Sequence, residues 1–298
     1  MPAGGLREIR RRIRSVTSTK QVTRAMELIA ASRIARARRR VEDARPYADM
    51  ITEVIRVLAS SPEVSEHELL APHDEVNRVG LVVVTSDRGL AGSYNTNALR
   101  RAERLAKEER DAGRELVHYV VGRKAESYLR FRGVQVERLW TGISDRPGYG
   151  DAQQIGQQVM AAYAEERVDR LWLVYTEFRT AMTQVSRAAR LLPVDAEQIA
   201  EDDRDGDREP SALFEFEPDP ESILERLLPR YVEHRIFTGL LESAASEHAS
   251  RQRAMKAASD NADELIEDLT REANRARQAT ITTEINEIVG GSEALSQS

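Results

Sequence analysis

The chain has 298 residues, 41% apolar and 32% charged, with only 5% aromatic and no cysteine. That length leaves room for one large domain or two small ones around a real core, and the lack of cysteine excludes disulfides, thiolate zinc sites and thiol redox control. The net charge of -6 is unevenly spread: residues 1–45 hold 13 Arg or Lys against 4 Asp or Glu, whereas 195–221 hold 12 acids against 2 Arg.

From Leu6 to about Ala59 the spacing predicts one long helix. Leu6, Ile9, Ile13, Val16, Lys20, Thr23, Met26, Ala30, Ile34, Ala37, Val41 and Ala44 recur at steps of three and four. No Gly or Pro interrupts the run before Pro46, which could kink the helix or be absorbed in it. At 1.5 Å per residue the helix would reach roughly 80 Å, more than a globular domain needs. Its stripe is thin and rich in Ala and Thr, so a partner helix must lie close against it.

Residues 61–77 read as a loop. His67 and His73 within it lack the helical spacing and third ligand of a metal site, and are expected to be solvated. A compact alternation follows: strands at Val79–Thr85, Glu115–Val121, Val134–Leu139 and Arg170–Thr176, and helices at Tyr94–Gly113, Lys124–Arg132 and Asp151–Arg167. This is the pattern of an α/β unit with a mainly parallel sheet, to which Thr183–Val194 adds one more strand. "EDDRDGDREPS", residues 201–211, is an acidic linker whose spacing does not match a calcium loop. A second long helix is expected from Ser222 to Val289, with Pro229 as its kink and Gly290-Gly291 as its C-cap. Along it run Leu241, Ala244, His248, Met255, Ala258, Ala262, Leu265, Leu269, Ala276 and Ala279.

The predicted fold is therefore a long antiparallel coiled coil of the N- and C-terminal helices with an inserted Rossmann-like α/β domain. The segments are a helix over 1–60, a loop over 61–77, the α/β domain over 78–195, an acidic linker over 196–220 and a helix over 221–298. No window approaches the roughly 18 apolar residues of a membrane span, and the N-terminus lacks a signal-peptide core, so a soluble chain is expected.

Motifs for chemistry are sparse. The strand-loop-helix "VVVTSDRGLAGSYN" sits where a doubly wound domain holds a ligand, but Gly89 and Gly92 give only a weak G-x-x-G. His118, His234 and His248 are isolated, and neither H-E-x-x-H nor G-x-S-x-G occurs. The basic "RIARARRR", Arg33 to Arg40, could follow nucleic-acid phosphates. With no aromatic in residues 1–46 to stack bases, it fits a protein interface better. Gln278 to Thr283 carries no charge and is rich in β-branched residues that a helix alone does not favour. Something outside the helix must hold it.

"TKQVTRAMELIAASRIARARRR" (19–40), "TSDRGLAGSYN" (85–95), "ASRQRAMKAASDNADELI" (249–266) and "RQATITTEINEIVGGSEAL" (277–295) together resemble the gamma subunit family of F-type ATP synthases. The sequence departs at Ala91, where many relatives have Cys, and lacks the thiol-regulated insert of chloroplast forms. The resemblance implies a central-stalk rotor that couples proton flow through the c-ring to ATP synthesis in the alpha/beta ring. It implies no catalytic residue and no cofactor of its own, ATP, ADP and magnesium being bound by partners. By position it implies that Met26, Arg251, Gln278, Thr282 and Glu284 face the alpha/beta ring, and that Phe216 and Glu217 face the c-ring and the epsilon subunit. It implies a peripheral place on the cytoplasmic face of the membrane, and no nucleic acid. A shaft tip turning in a sleeve meets protein at every angle, which suits an uncharged circumference. The alternative from the residues alone is a coiled-coil scaffold or nucleic-acid-binding rod with an α/β head.

Overall fold

A computed structural model describes residues 4–59, 69–194 and 220–296. His67, the acidic stretch 201–211, Phe216 and Glu217 lie outside the described residues. The elements are α1 (Gly4–Ala59), β1 (Arg78–Val84), α2 (Tyr94–Asp111), β2 (Glu115–Val121), α3 (Arg123–Phe131), β3 (Arg138–Trp140), α4 (Tyr149–Ala164), β4 (Arg170–Phe178), β5 (Gln184–Leu192) and α5 (Pro220–Ser296). They form two compact units, one from the chain up to Ala30 with the chain from Gln252 onward, the other from Ala31 to Arg251. The division cuts both long helices, so the ends expected near 60 and 221 are ends of elements rather than of compact units.

In the first unit α1 and α5 run antiparallel. Ile9 packs with Leu269 and Ala273, flanked by Leu6, Ile13, Val16 and Ala276. Further along, Lys20 pairs with Asp263 and Thr23 meets Ser259. The inward row of α5 is Met255, Ser259, Ala262, Ile266, Leu269, Ala273, Ala276 and Thr280, all buried or half-buried. This alternation of four and three is the heptad of a coiled coil. It corrects the expected row. Leu265 is 41% exposed and Ala279 is exposed, while Ala258 is only half-buried. Small polar residues hold those levels because their hydroxyls find partners, Ser259 across the seam and Thr280 on the Ala276 carbonyl. On α1 the row likewise passes through Glu27, buried and bonded to Arg24, and leaves Met26 beside it, half-buried.

The second unit is built on a five-stranded sheet of order β3-β2-β1-β4-β5. β1 pairs in parallel with β2 and β4, and β2 with β3. β5 returns antiparallel to β4, because the Arg179–Thr183 link closes as a tight turn in which Thr180 and Thr183 bond each other's backbone. Strand alternation sorts the β1 side chains to two faces. Val79, Leu81 and Val83 pack under Leu99, Leu105 and Leu129 of α2 and α3. Val82 and Val84 pack with Ile155 and Val159 of α4, Ile51 and Ile55 of α1, and Leu228, Val232 and Ile236 of α5.

Three other expectations are corrected. β3 starts at Arg138 rather than Val134, since Val134 and Val136 turn into the cluster beneath α2 and α3. α5 continues through Gly290-Gly291 to Ser296, with the Ser292 hydroxyl bonded to the Val289 carbonyl one turn back. His73 is not solvated: its ring stacks on Tyr163 at 4.4 Å and its Nδ1 lies 3.3 Å from Asp169. Pro46 and Pro229 are both absorbed inside helices. No helix among the described residues is long and apolar enough to cross a membrane.

Candidate functional site

In a doubly wound sheet, ligands lie beyond the carboxyl ends of the strands. Here that place is filled by the chain itself. The loop after β1 carries Ser86-Asp87-Arg88, and the loop after β3 carries Ser144-Asp145-Arg146. The two triplets interlock: the Asp87 amide donates to the Ser144 hydroxyl at 3.0 Å, and the Asp87 carboxylate accepts from the amides of Gly142 (2.8 Å) and Ser144 (3.5 Å). Ser86 and Asn95 bind each other, and the Asn95 side-chain oxygen accepts the Ser86 amide at 2.9 Å. The Thr85 hydroxyl donates to the Val121 carbonyl and accepts the Ala125 amide, closing the start of α3. Between them Gly122 takes φ +93°, and a Cβ there would stand 2.3 Å from the Thr85 carbonyl oxygen. Only glycine fits. The motif read as a weak phosphate cradle is spent on internal bonds.

These loops are fastened to both long helices. Asp145 accepts from Arg33 of α1 at 2.9 Å, and its backbone oxygen lies 3.2 Å from His248 Nε2 of α5. Arg251 of α5 bonds Glu247 at 2.6 Å and the Gly89 carbonyl at 3.2 Å, and stands 4.0 Å from Asp145. Arg40 donates to the Pro147 carbonyl. Burial pushes the fully enclosed Glu247 carboxyl up to about 7, against the pull of Arg251. Burial also works to raise Asp145, but Arg33, His248 and Arg251 outweigh it and hold the carboxylate below its ordinary range. Tyr94, buried beside this cluster, has its phenol pushed upward by burial and by Glu247.

The expected site residues therefore divide. Arg251 is buried, its guanidinium committed within the chain, rather than displayed. Gln278, Thr282 and Glu284 lie exposed on the last part of α5, where every residue from Ile281 to Gly290 is exposed. There the hydroxyls of Thr280, Thr282 and Thr283 donate to the carbonyls four residues back, at 2.9–3.0 Å. The threonines thus turn methyl surface outward beside the exposed Ile281 and Ile285, with Glu284 and Glu287 exposed among them. Within the basic arm, Arg33, Arg38 and Arg40 are bonded inside the chain. Sequence reasoning missed Asp87, Asp145 and Glu247. The repeated Ser-Asp-Arg triplet was the available signal.

The model of the ATP synthase family matches residues 5–295. The ATP synthase gamma chain of Parafrankia sp. (strain EAN1pec) is 52% identical over 297 residues, 98% of each chain. The chain belongs to the ATP synthase gamma chain family. The gamma chain of Mycolicibacterium smegmatis is 49% identical over 310 residues, 99% of each chain. Among solved structures, a chain from the central stalk and c-ring of Tetrahymena thermophila mitochondrial ATP synthase superposes with a TM-score of 0.62 at 28% identity, covering 80% of this chain and 99% of that one. A chain from Euglena gracilis mitochondrial ATP synthase, 18% identical, shares the fold, with a TM-score of 0.67 over 98% of this chain and 95% of that one. Gamma chain kinship thus extends over nearly the whole sequence, and the scaffold and nucleic-acid alternatives find no support in it.

Proposed function

We propose that this chain is the central-stalk rotor subunit of an F-type ATP synthase, held peripherally on the cytoplasmic face of the membrane through the c-ring. Proton flow turns the c-ring, the α/β part of the chain takes up the torque with the epsilon subunit, and the α1–α5 pair turns within the alpha/beta ring. The chain contributes no catalytic residue and no cofactor; ATP, ADP and magnesium are handled by the ring. A rotor can bias a catalytic site only through contacts that differ between that site's states, so an asymmetric pair of helices presenting a different face to each beta subunit suffices.

One observation carries the reading furthest. From Ile281 to Gly290 the helix is exposed at every residue, and Ile281, Ile285, Ile288 and Val289 show aliphatic surface beside Glu284 and Glu287, surface that water alone does not reward and that a surrounding sleeve of protein would cover. Met26, Gln278, Thr282 and Glu284 are placed on this reading against the alpha/beta ring, and Phe216 and Glu217 against the c-ring and epsilon. Arg251 acts from inside, by holding the Gly89 loop and Asp145. The test is the ATPase activity of co-expressed alpha and beta subunits with and without this chain. A stable complex with sustained turnover only in its presence is expected; a chain that neither co-purifies nor alters turnover overturns the reading.

A further inference from the structure

Apolar packing between the sheet and the two long helices supplies adhesion but little direction. A turning load needs contacts with fixed geometry. β4 is tied to α5 where the Thr176 amide donates to the Ser243 hydroxyl and the Ser246 hydroxyl to the Thr176 carbonyl. A single carboxylate joins α1, α5 and a loop: Asp145 accepts from Arg33 at 2.9 Å, with Arg88 at 3.7 Å and Arg251 at 4.0 Å as further counter-charges. Its own carbonyl lies 3.2 Å from His248 on α5, and the adjacent Ser144 locks to Asp87. Arg132–Glu103 and Arg167–Glu137, by contrast, join only the sheet's own helices and loops. At Asp145, α1, α5 and a sheet loop converge on a single side chain.

We propose that Asp145 is a positioning residue for torque transfer, the pin that makes the sheet loops and both long helices of this unit turn together. This rests on the rotor reading above. Removing the negative charge leaves Arg33, Arg88 and Arg251 without their shared counter-ion while the apolar core remains. Under load the loops then slip relative to the helices, so hydrolysis continues but moves fewer protons.

The experiment compares wild type, Asp145→Asn and Arg33→Ala in the assembled complex in membrane vesicles, measuring ATP hydrolysis and ATP-driven proton uptake together, with unfolding temperature as a control. The expected result is hydrolysis at the wild-type rate, with protons moved per ATP reduced about fivefold for Asp145→Asn and less for Arg33→Ala, which cuts one arm only. Asp145→Glu, retaining the charge, should recover part of the loss. Equal ratios for Asp145→Asn and wild type overturn the inference while leaving the rotor reading intact. A wild-type chain that fails to support turnover or pumping overturns both. Should Asp145→Asn not assemble, Arg33→Ala carries the test with the same two readings.

Discussion

The hydroxyls of Thr23 on α1 and Ser259 on α5 lie 2.7 Å apart, with Ser259 only 3% exposed. Small side chains let the two backbones approach here, and the bond satisfies both hydroxyls. Thr23→Val should cost about 1–3 kcal/mol, since it leaves the Ser259 hydroxyl buried and unpaired. Ser259→Leu should cost a similar amount by overpacking the seam. Thermal unfolding of Thr23→Val, Ser259→Leu, Ser259→Ala and the Thr23→Val/Ser259→Ala pair checks this. A pair no better than the sum of its singles would contradict a coupled bond.

Gly122→Ala should destabilise the second unit by about 3 kcal/mol or more, because a positive-φ site is strained for alanine and the obstacle is the Thr85 backbone rather than a movable side chain. Denaturant unfolding gives the number. A loss below about 1 kcal/mol would show that the two loops relax freely.

Glu247 sets a pH dependence whose sign follows from its burial. Its carboxyl is raised in the fold from 4.5 to about 7, so the folded state holds the proton more tightly than the unfolded one. Stability from this group is full below 4.5 and is lost as pH rises through about 7. Glu247→Gln should flatten the fall in unfolding temperature across that interval. Some slope should persist, because burial raises Glu242 to about 7 as well. An identical slope in variant and parent rules the mechanism out.

Thr282→Lys with Thr283→Lys should lower ATP synthesis by coupled vesicles several-fold without preventing assembly. Two ammonium groups on an exposed, charge-poor turn can pair with particular stator carboxylates and deepen the wells between angles. Undiminished synthesis would remove the bearing role from this stretch.

Long apolar periodicity defined α1 and α5, and strand-helix alternation defined the sheet, because each reports burial of one face. The register of the α5 seam was less legible. Leu265 outranks Ser259 and Thr280 on any apolar scale, yet hydroxyls bonded across or along the helices hold the seam and the leucine faces outward. Gly290-Gly291 looked like a stop because glycine permits termination, but permission does not force it, and the helix runs on. The Asp145 cluster was hidden for another reason. Its members come from positions 33, 88, 145, 248 and 251, and only the folded topology brings them together.

A row that repeats every 3.5 residues on helices of 3.6 residues per turn makes the α1–α5 pair wind about each other with a left hand. Such a two-stranded rope does not treat the two senses of twist alike. Torsion in the sense of its own winding draws the strands together and presses the Thr23–Ser259 level tighter; torsion against it eases them apart. The first unit is therefore expected to resist torsion in the sense of its winding more than torsion against it, a mechanical polarity written into the spacing of its small seam residues.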